Sequence, residues 1–511
     1  MAESIAILDF GSQYTQLIAR RIRENHVYCE ILPHNTPASK LRSMPFRGLV
    51  LSGGPSSVYD DGAPAIDPEI LQLGVPTLGI CYGMQLGSRL LGGHVTGSST
   101  HEYGPATIEL TDDLLFQGVE RQTTVWMSHG DQVTEVPESF QTLARTETCP
   151  HAAVRHRPTG FIGLQFHPEV THTAEGKTII TNFLFRICGC QGDWSLNTFV
   201  DEQIEVIRNQ VDGQSVVCGL SGGVDSSVVA LLLHRAIGSQ LHCIFVDNGL
   251  LRQGERDQVV ETFRNHYHLN LHPVDATDRF LARLQGITDP EEKRKRIGHE
   301  FVEVFRDKAK DLSGLHFLAQ GTLYPDIIES VSPTGGPSAM IKSHHNVGGL
   351  PEELGFELIE PLRYLFKDEV RVIGRELGLV DQLVNRQPFP GPGLAVRVLG
   401  EVTAERLAIL RAADTIVQEE IERYDRYAEI WQSFAVLLPV QTVGVMGDKR
   451  TYDHVVALRV VESTDGMTAN WVYLPREILS ETSRRICNEV AGVNRVVLDI
   501  CSKPPSTIEW E

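Results

Sequence analysis

The sequence has 511 residues, of which 41% are hydrophobic and 22% are charged. This length suits about three globular domains of ~150 residues each, and the composition excludes collagen-like, largely disordered and coiled-coil proteins. The chain carries 46 basic and 66 acidic residues, so its formal net charge is −20. A chain this acidic is a poor general binder of nucleic acid or of anionic membranes.

The beginning of the sequence has no basic segment followed by a long apolar run, and we therefore expect no secretory signal. The longest apolar run, Val228–Leu233, is far too short to span a membrane. The nine cysteines are an odd number and are spread thinly along the chain, which is typical of reduced thiols. These features predict a cytoplasmic protein.

The first region, residues 1–190, alternates short apolar segments with segments of helical spacing. The predicted strands are Ser4–Asp9, Val27–Leu32, Leu49–Ser52 and Pro76–Ile80, and the first predicted helix is Gln13–Glu24. Strands that alternate with helices predict an α/β domain with a doubly wound parallel sheet.

A cysteine lies where the fourth of these strands ends and a helix begins. Cys81 has Gly79 and Gly83 on its two sides. Glycines at these positions allow a strained turn that presents the central side chain, and the start of a helix favours the reactive thiolate. A small buried cysteine would fit the same local pattern.

A nucleophilic cysteine needs a base, and the base needs a group that orients it. His167 and Glu169 are two residues apart, so they share one face of an extended segment. In the segment 51–55, glycines that include Gly54 can direct backbone N–H groups at a developing oxyanion, together with the N–H of Tyr82.

Over residues 4–188 these motifs together resemble the class I, triad-type glutamine amidotransferases. The resemblance implies that Cys81 is the nucleophile, His167 the base and Glu169 its orienting acid, and that glutamine is split into glutamate and ammonia. It also implies that Gln85 helps to hold the glutaminyl intermediate. A γ-glutamyl hydrolase that has no acceptor for ammonia would use the same set of residues.

The second region, residues 191–385, repeats the α/β pattern and predicts a second doubly wound parallel sheet. Between the predicted strand Val216–Leu220 and the predicted helix Val224–Arg235 lies a glycine-rich turn. Free N–H groups and the helix dipole at such a turn favour phosphate. The lysine of the usual phosphate loop is missing, so this turn is a different motif.

The string Ser-Gly-Gly-Val-Asp-Ser-Ser at 221–227 resembles the pyrophosphate loop of ATP pyrophosphatases, which cleave ATP between its α and β phosphates. The resemblance implies that ATP is bound by Ser221, Gly222, Gly223, Val224, Asp225, Ser226 and Ser227. Asp225 is also a candidate ligand of the Mg²⁺ that accompanies ATP. An aspartate in the first helical turn is equally ordinary helix chemistry.

A turn-rich stretch at 387–393 opens the third region, residues 386–511, for which helices and strands predict a small α+β domain. The segments 341–350, 387–397, 443–448 and 503–511 resemble glutamine-hydrolysing GMP synthetases, so the resemblance spans essentially the whole chain. It implies that glutamine, ATP, xanthosine 5′-monophosphate and water give GMP, AMP, pyrophosphate and glutamate. It further implies a homodimer formed through the third domain and contacts to the nucleotide substrate from Arg294, Lys342, Gln441, Lys503 and Glu509.

Two alternatives stay open from the sequence. One is another glutamine-dependent ATP pyrophosphatase, although an asparagine-type synthetase would have cysteine at position 2, where this chain has Ala2. The other is a non-catalytic sensor of glutamine or nucleotides. Such sensors often lose the nucleophile, whereas Cys81, His167 and the 221–227 loop are all present here.

Overall fold

The computed structural model describes residues 3–12, 14–312, 314–324, 326, 355–446, 449–463 and 468–511, of which 98–101 and 446 are described by their backbone alone. The described chain forms two compact units. The first contains the residues up to Phe199, and the second contains Val200–Tyr324 together with the described residues from Gly355 onwards.

The first unit is built on a nine-stranded sheet with the strand order β2-β1-β3-β4-β9-β8-β7-β5-β6. The five strands β2, β1, β3, β4 and β9 are parallel, and the other four pair in antiparallel fashion. The strands are β1 (Ser4–Asp9), β2 (Tyr28–Pro33), β3 (Phe46–Leu51), β4 (Thr77–Ile80), β5 (His94–Leu110), β6 (Gln122–Glu135), β7 (Phe140–Arg145), β8 (Ala153–His156) and β9 (Phe161–Leu164).

The inner parallel strands β1, β3, β4 and β9 are mainly apolar and buried because both faces of the sheet are covered. Ile5, Ile7, Leu49 and Leu51 are fully buried. The helices of the unit are α1 (Thr15–Arg23), α2 (Ala38–Arg42), α3 (Tyr82–Leu90) and α4 (Gly176–Asn182), and α5 (Leu196–Val211) follows them in the chain.

The second unit contains a five-stranded parallel sheet with the order β12-β11-β10-β13-β14. Its strands are β10 (Ser215–Gly219), β11 (Leu241–Asp247), β12 (Leu271–Asp275), β13 (Leu315–Ala319) and β14 (Glu357–Ile359). The associated helices are α6 (Val224–Ile237), α7 (Glu255–Val260), α8 (Thr277–Leu284), α9 (Pro290–Lys310), α10 (Lys367–Glu376) and α11 (Asp381–Val384).

The remainder of the second unit is an α+β arrangement. The strands β15 (Gln432–Met446), β16 (Lys449–Glu462), β17 (Asn470–Trp471) and β18 (Val493–Leu498) form a four-stranded sheet, and α12 (Ala404–Glu422) and α13 (Arg476–Glu489) accompany it. Strand β16 pairs antiparallel with β15 and β17 and parallel with β18.

One apolar core serves both sheets of the second unit. The cluster includes Ile244 and Leu318 from the five-stranded sheet, Leu410 from α12, and Leu437 and Val456 from the four-stranded sheet. The predicted boundary at 385/386 therefore lies inside a shared core, and a separate third domain stays a prediction.

The fold class expected from the sequence is confirmed, because two α/β sheets are followed by an α+β region. The antiparallel strands β5–β8 were outside the sequence prediction. Polar and apolar residues mix along the two long strands, β5 and β6, so neither forms a continuous apolar run. Within the described residues, no helix is both long and apolar enough to cross a membrane.

Candidate active sites

The topology of the first sheet places Cys81 and His167 side by side. Cys81 follows the last residue of β4, and His167 follows β9, which is the parallel neighbour of β4. The backbone N–H of Cys81 donates to the carbonyl of Leu164 at 2.7 Å, which ties the two strand ends together. Two segments about 85 residues apart in sequence thus meet at the carboxyl edge of a parallel sheet, where ligands commonly bind.

The backbone of Cys81 is strained, with φ 50° and ψ −104°. A non-glycine residue with positive φ is uncommon, and such strain is often found at functional positions. The neighbouring glycines allow the turn. A Cβ on Gly79 would lie 2.6 Å from the carbonyl carbon of Gly83, and a Cβ on Gly83 would lie 2.3 Å from the carbonyl oxygen of Leu51. The expected elbow is therefore present, and it depends on both glycines.

The predicted base and its orienting acid are in direct contact. Nδ1 of His167 lies 2.7 Å from Oε1 of Glu169, and both residues are buried. Burial lowers the pKa of His167, but the charge of Glu169 and hydrogen bonds to Cys81 and Glu169 outweigh it, so the pKa lies well above its ordinary value. A protonated histidine beside a cysteine favours the reactive thiolate.

Two residues that the sequence analysis missed fix the backbone of this pair. The hydroxyl of Thr173 donates to the carbonyl of His167 at 2.6 Å, and Nε of Arg21 donates to the carbonyl of Glu169 at 3.0 Å. Oε2 of Glu169 is buried without a hydrogen-bond partner among the described residues. No sequence pattern marked Arg21 or Thr173, because both act through backbone carbonyls.

The predicted oxyanion and glutamine-binding residues lie around the same turn. A Cβ on Gly54 would lie 3.0 Å from the carbonyl oxygen of Phe10 and 3.2 Å from Cγ of Tyr82, so this glycine packs tightly beside the start of α3. The side chain of Tyr82 is buried, and its hydroxyl donates to the carbonyl of Pro64 at 2.6 Å. The amide of Gln85 is also buried and donates to the carbonyl of Asp131 at 2.8 Å.

Strand β6 contributes a wall of the site that the sequence analysis did not find. The thiol of Cys81 faces the carbonyl of Ser128, with a Sγ–O distance of 3.7 Å. The next residue, His129, is buried against Glu102 with an Nε2–Oε2 distance of 3.1 Å. Burial lowers the pKa of His129 although Glu102 opposes this shift. Only the antiparallel pairing of β5 with β6 reveals this arrangement.

The glycine-rich loop of the second unit lies at the end of its central strand. Strand β10 has β11 on one side and β13 on the other, so the loop occupies the point where the strand order reverses. Gly222 has a φ of 75°, which glycine adopts without strain. Helix α6 begins at Val224, and its first free N–H groups therefore lie at the loop.

The three serines of the loop mainly organise its backbone. Ser221 and Ser226 share a hydrogen bond of 3.0 Å between their hydroxyls, and the backbone N–H of Ser221 also donates to Ser226. Ser227 is buried and donates to the carbonyl of Gly223 at 2.7 Å. The loop thus keeps a defined shape by its own hydrogen bonds.

Asp225 faces away from these serines toward β13 and α10. Its Oδ2 forms an ion pair with Lys367, which the sequence analysis missed, and its Oδ1 is buried without a hydrogen-bond partner among the described residues. A Cβ on Gly321 would lie 3.4 Å from the Cβ of Asp225, so the end of β13 lies close by. The described part of the chain contains no group of three His, Cys, Asp or Glu residues suited to a metal ion.

Of the residues predicted to contact the nucleotide substrate, Arg294 and Glu509 both make contacts at the C-terminal segment 503–511. Arg294 donates to the carbonyl of Glu511, and Glu509 pairs with the buried Arg397 at 2.8 and 3.1 Å. Lys503 pairs by its backbone with Ala469, and Gln441 is exposed on β15. Lys342 lies outside the described residues.

The charged segment 291–296 of α9 contains a buried lysine. The side chain of Lys293 is 0% exposed. Its Nζ forms an ion pair with Glu511 and donates to the carbonyls of Val398 at 2.8 Å and Ala395 at 3.3 Å. Burial lowers the pKa of Lys293, and Glu511 opposes the shift. The C-terminal segment 503–511, called the tail below, is therefore fixed to α9 through both Lys293 and Arg294.

Comparison with known proteins finds three family matches along the chain. Residues 6–187 match the family described as glutamine amidotransferase class-I, 196–294 match NAD synthase and 419–510 match the GMP synthase C terminal domain. The fold and the matches define a glutamine amidotransferase fused to an ATP-utilising synthase. Three relatives that align with the full length of this chain identify one family within this class.

The relatives are GMP synthases (glutamine-hydrolyzing). That of Caldanaerobacter subterraneus subsp. tengcongensis is 57% identical over 510 residues, which cover 100% of this chain and 99% of the relative. That of Maridesulfovibrio salexigens is 57% identical and covers 99% of each chain, and that of Geobacillus kaustophilus is 56% identical and covers 100% of this chain and 99% of its own. The chain belongs to the GMP synthase (glutamine-hydrolyzing) family.

Proposed function

We propose that this chain makes GMP from xanthosine 5′-monophosphate, with glutamine as nitrogen donor and ATP as the activating nucleotide. The observation that carries the proposal is the contact of His167 with Glu169 beside the strained Cys81, in a family named for this reaction. The alternatives of a non-catalytic sensor or a different acceptor lose support, because the GMP synthase match covers the full length of the chain.

In the first half-reaction, Sγ of Cys81 attacks the carboxamide carbon of glutamine, and protonated His167 gives its proton to the departing ammonia. Water then attacks the thioester, His167 accepts a proton from this water, and glutamate leaves as the thiol is restored. We assign the oxyanion to the backbone N–H groups of Gly54 and Tyr82. The side-chain amide of Gln85 donates a hydrogen bond to the carbonyl of Asp131 on β6 and so supports the wall that β6 forms beside Cys81.

In the second half-reaction, the C2 carbonyl oxygen of the purine attacks the α-phosphorus of ATP, and pyrophosphate leaves. Adenylylation converts a poor leaving group into AMP, which ammonia then displaces at C2. The 221–227 loop supplies N–H groups and a helix N-terminus to the phosphates, so its contribution is positioning and charge stabilisation. Ammonia has to arrive unprotonated, because ammonium is not a nucleophile.

The residues at the loop fit the Mg²⁺ that accompanies ATP. Mg²⁺ is usually held by one or two carboxylates, with phosphate oxygens and water as the other ligands. Asp225 has one buried oxygen without a hydrogen-bond partner, and this oxygen is the protein ligand that we propose. When bound, the ion neutralises charge on the phosphates. Lys367, on the other oxygen of Asp225, adds a positive charge near the same place.

We further propose that the tail and the α9 helix bind xanthosine monophosphate through Arg294, Lys503 and Glu509. Arg294 lies on α9 and donates to Glu511, which belongs to the same tail as Glu509, and this proximity supports the proposal. Glu509 already accepts from Arg397 and from Gln432, so a purine N–H would use the remaining lone pairs of its carboxylate.

The proposal is tested by incubating the purified chain with Mg²⁺, ATP, glutamine and xanthosine monophosphate and following GMP and AMP by chromatography. Equal amounts of GMP and AMP are expected. The Cys81→Ala variant should lose glutamine-dependent synthesis but keep synthesis from added ammonium salt. Consumption of ATP and glutamine without GMP would reject the acceptor, and loss of ammonia-supported synthesis in folded Cys81→Ala would reject the division of labour between the two sites.

We also propose that the chain dimerises through the sheet formed by β15, β16 and β18. Val443 is 51% exposed, Val445 is 74% exposed and Tyr452 is 62% exposed, and these three residues lie on the paired ends of β15 and β16. Clustered apolar residues on a strand surface commonly mark a protein interface. Sedimentation should give twice the chain mass of 56.7 kDa, and a species of the single-chain mass alone would remove this proposal. The cytoplasmic location stays a prediction from the sequence.

A further inference from the structure

A largely buried arginine lies behind the glycine-rich loop. Nη1 of Arg386 donates to the carbonyl oxygen of Gly222 at 2.8 Å, and its Nη2 forms an ion pair with Oε1 of Glu255. The side chains of Arg386 and Glu255 are 20% and 6% exposed. A charged pair with this little access to water is costly unless its hydrogen bonds are well satisfied.

Glu255 is held from a second direction. Its Oε2 accepts from the backbone N–H of Arg252 at 2.9 Å, while its Oε1 is occupied by Arg386. Glu255 is the first residue of α7, so this carboxylate also lies where a negative charge is favoured by the helix dipole. The acid is therefore fixed on both oxygens, and it holds the guanidinium in one orientation.

The contact with Gly222 determines how the loop presents its N–H groups. In a trans peptide the carbonyl and the following N–H point in opposite directions. Because Arg386 holds the carbonyl of Gly222, the N–H of Gly223 points to the opposite side, where it donates to the hydroxyl oxygen of the exposed Ser221 at 3.3 Å. If this peptide turned over, a carbonyl oxygen would replace the N–H and would repel a phosphate.

Gly222 is closely packed, and a side chain at this position would not fit. A Cβ on Gly222 would lie 2.7 Å from Cγ2 of Val259 on α7 and 3.4 Å from Nη1 of Arg386. The left-handed φ of 75° at Gly222 permits peptide orientations that other residues avoid. Packing alone therefore does not fix this peptide. The hydrogen bond from Arg386 to its carbonyl oxygen, at 2.8 Å, adds to the longer bond from its N–H to Ser221, at 3.3 Å.

We propose that Arg386, oriented by Glu255, is a positioning residue of the phosphate loop that keeps the N–H of Gly223 directed at the phosphates of ATP. The inference rests on the proposed function of the loop. Arg386 acts through the backbone carbonyl of Gly222. Its substitution should therefore change the kinetic constants for ATP and leave the hydrolysis of glutamine unchanged.

The test compares Arg386→Lys, Arg386→Gln and Glu255→Gln with the wild-type chain in ammonia-supported synthesis of GMP. Lysine keeps the charge but cannot bind Glu255 and the carbonyl of Gly222 with a planar fork. We expect kcat/KM for ATP to fall about 100-fold in the Arg386 variants, because a misplaced binding group of about 1 Å has an effect of this order. The KM for xanthosine monophosphate should stay within about twofold.

Arg375→Lys is the surface control, since the side chain of Arg375 is 48% exposed and pairs with Asp381 and Asn385 instead of with the loop. The effects of Arg386→Gln and Glu255→Gln should be non-additive in the double variant, because both substitutions remove the same ion pair. Circular dichroism and the thermal midpoint establish that each variant is folded. If Arg386→Gln does not fold, Arg386→Lys and Glu255→Gln decide the question.

Folded Arg386→Lys and Glu255→Gln variants with a wild-type KM and kcat for ATP would overturn the inference. A rise in the KM for xanthosine monophosphate as large as the rise in the KM for ATP would also overturn it, because this result indicates a general structural role. A wild-type chain that forms no AMP from ATP and xanthosine monophosphate would instead refute the proposed function. The two failures are thus distinguished by the wild-type reaction.

Discussion

The close packing of Gly83 gives a sharp test of the strained turn at Cys81. A Cβ on Gly83 would lie 2.3 Å from the carbonyl oxygen of Leu51 and 2.6 Å from its Cβ, whereas ordinary contact begins at 3.4 Å. The shortfall is about 1.1 Å. Both atoms of Leu51 belong to the rigid part of strand β3, so α3 itself has to move in the Gly83→Ala variant.

Gly83 is two residues from Cys81, and a shift of the first turn of α3 therefore displaces the thiol from His167. We expect the rate of glutamine-dependent synthesis to fall about 100-fold, which is the effect of a misplacement of about 1 Å. Extra volume in a packed core should also lower the free energy of unfolding of the first unit by about 1–3 kcal/mol.

The assay measures glutamate release at saturating glutamine in the presence of ATP and xanthosine monophosphate. Ammonia-supported synthesis in the same variant serves as the internal control and should be unchanged. Gly391→Ala is the matched substitution, because a Cβ on Gly391 meets nothing within 4 Å. Glutamate release by Gly83→Ala within about twofold of the wild-type rate would refute the role that we assign to the strained turn.

Further predictions follow from the buried charges and the exposed sheet. Glu169→Gln should lower glutamate release about 10²- to 10⁴-fold, because His167 loses the group that orients it as acid and base. Although burial lowers the pKa of His167, Glu169 and Cys81 raise it above 6.5, so the folded chain keeps a proton that the unfolded chain has lost. Urea unfolding of the first unit should therefore show stability falling as the pH rises from 6.5 through this raised pKa, and Glu169→Gln should weaken this slope. Lys293→Met should lower the free energy of unfolding of the second unit by about 3–5 kcal/mol, measured by urea denaturation, because the buried carboxylate of Glu511 loses its partner. Val445→Asp should convert the proposed dimer to the 56.7 kDa species in sedimentation.

Two of these predictions have a control on the exposed surface. Lys295→Met matches Lys293→Met, because Lys295 is an exposed lysine of the same helix. Val206→Asp matches the change at Val445, since Val206 is 52% exposed on α5. Wild-type glutamate release by the Glu169 variant, wild-type unfolding of Lys293→Met or an unchanged dimer in Val445→Asp would each contradict the corresponding argument.

The sequence by itself determined the elements that carry a local signature. The strand Ser4–Asp9 matches the prediction residue for residue, because a continuous apolar run bounded by polar residues is typical of a buried parallel strand. The glycines around Cys81 and in the 221–227 loop likewise marked their turns in advance, since few other residues fit such backbone geometry. The roles of these residues came from resemblance to known families.

The tertiary structure decided which distant residues share a site. Ser128 faces Cys81, Lys367 pairs with Asp225, and Arg386 holds Gly222 from a region that the sequence assigned to another domain. In the charged segment 291–296, Lys293 is fully buried against Glu511. Such contacts leave no local pattern, because a contact between residues 47 to 218 positions apart depends on strand order and packing and not on neighbouring sequence.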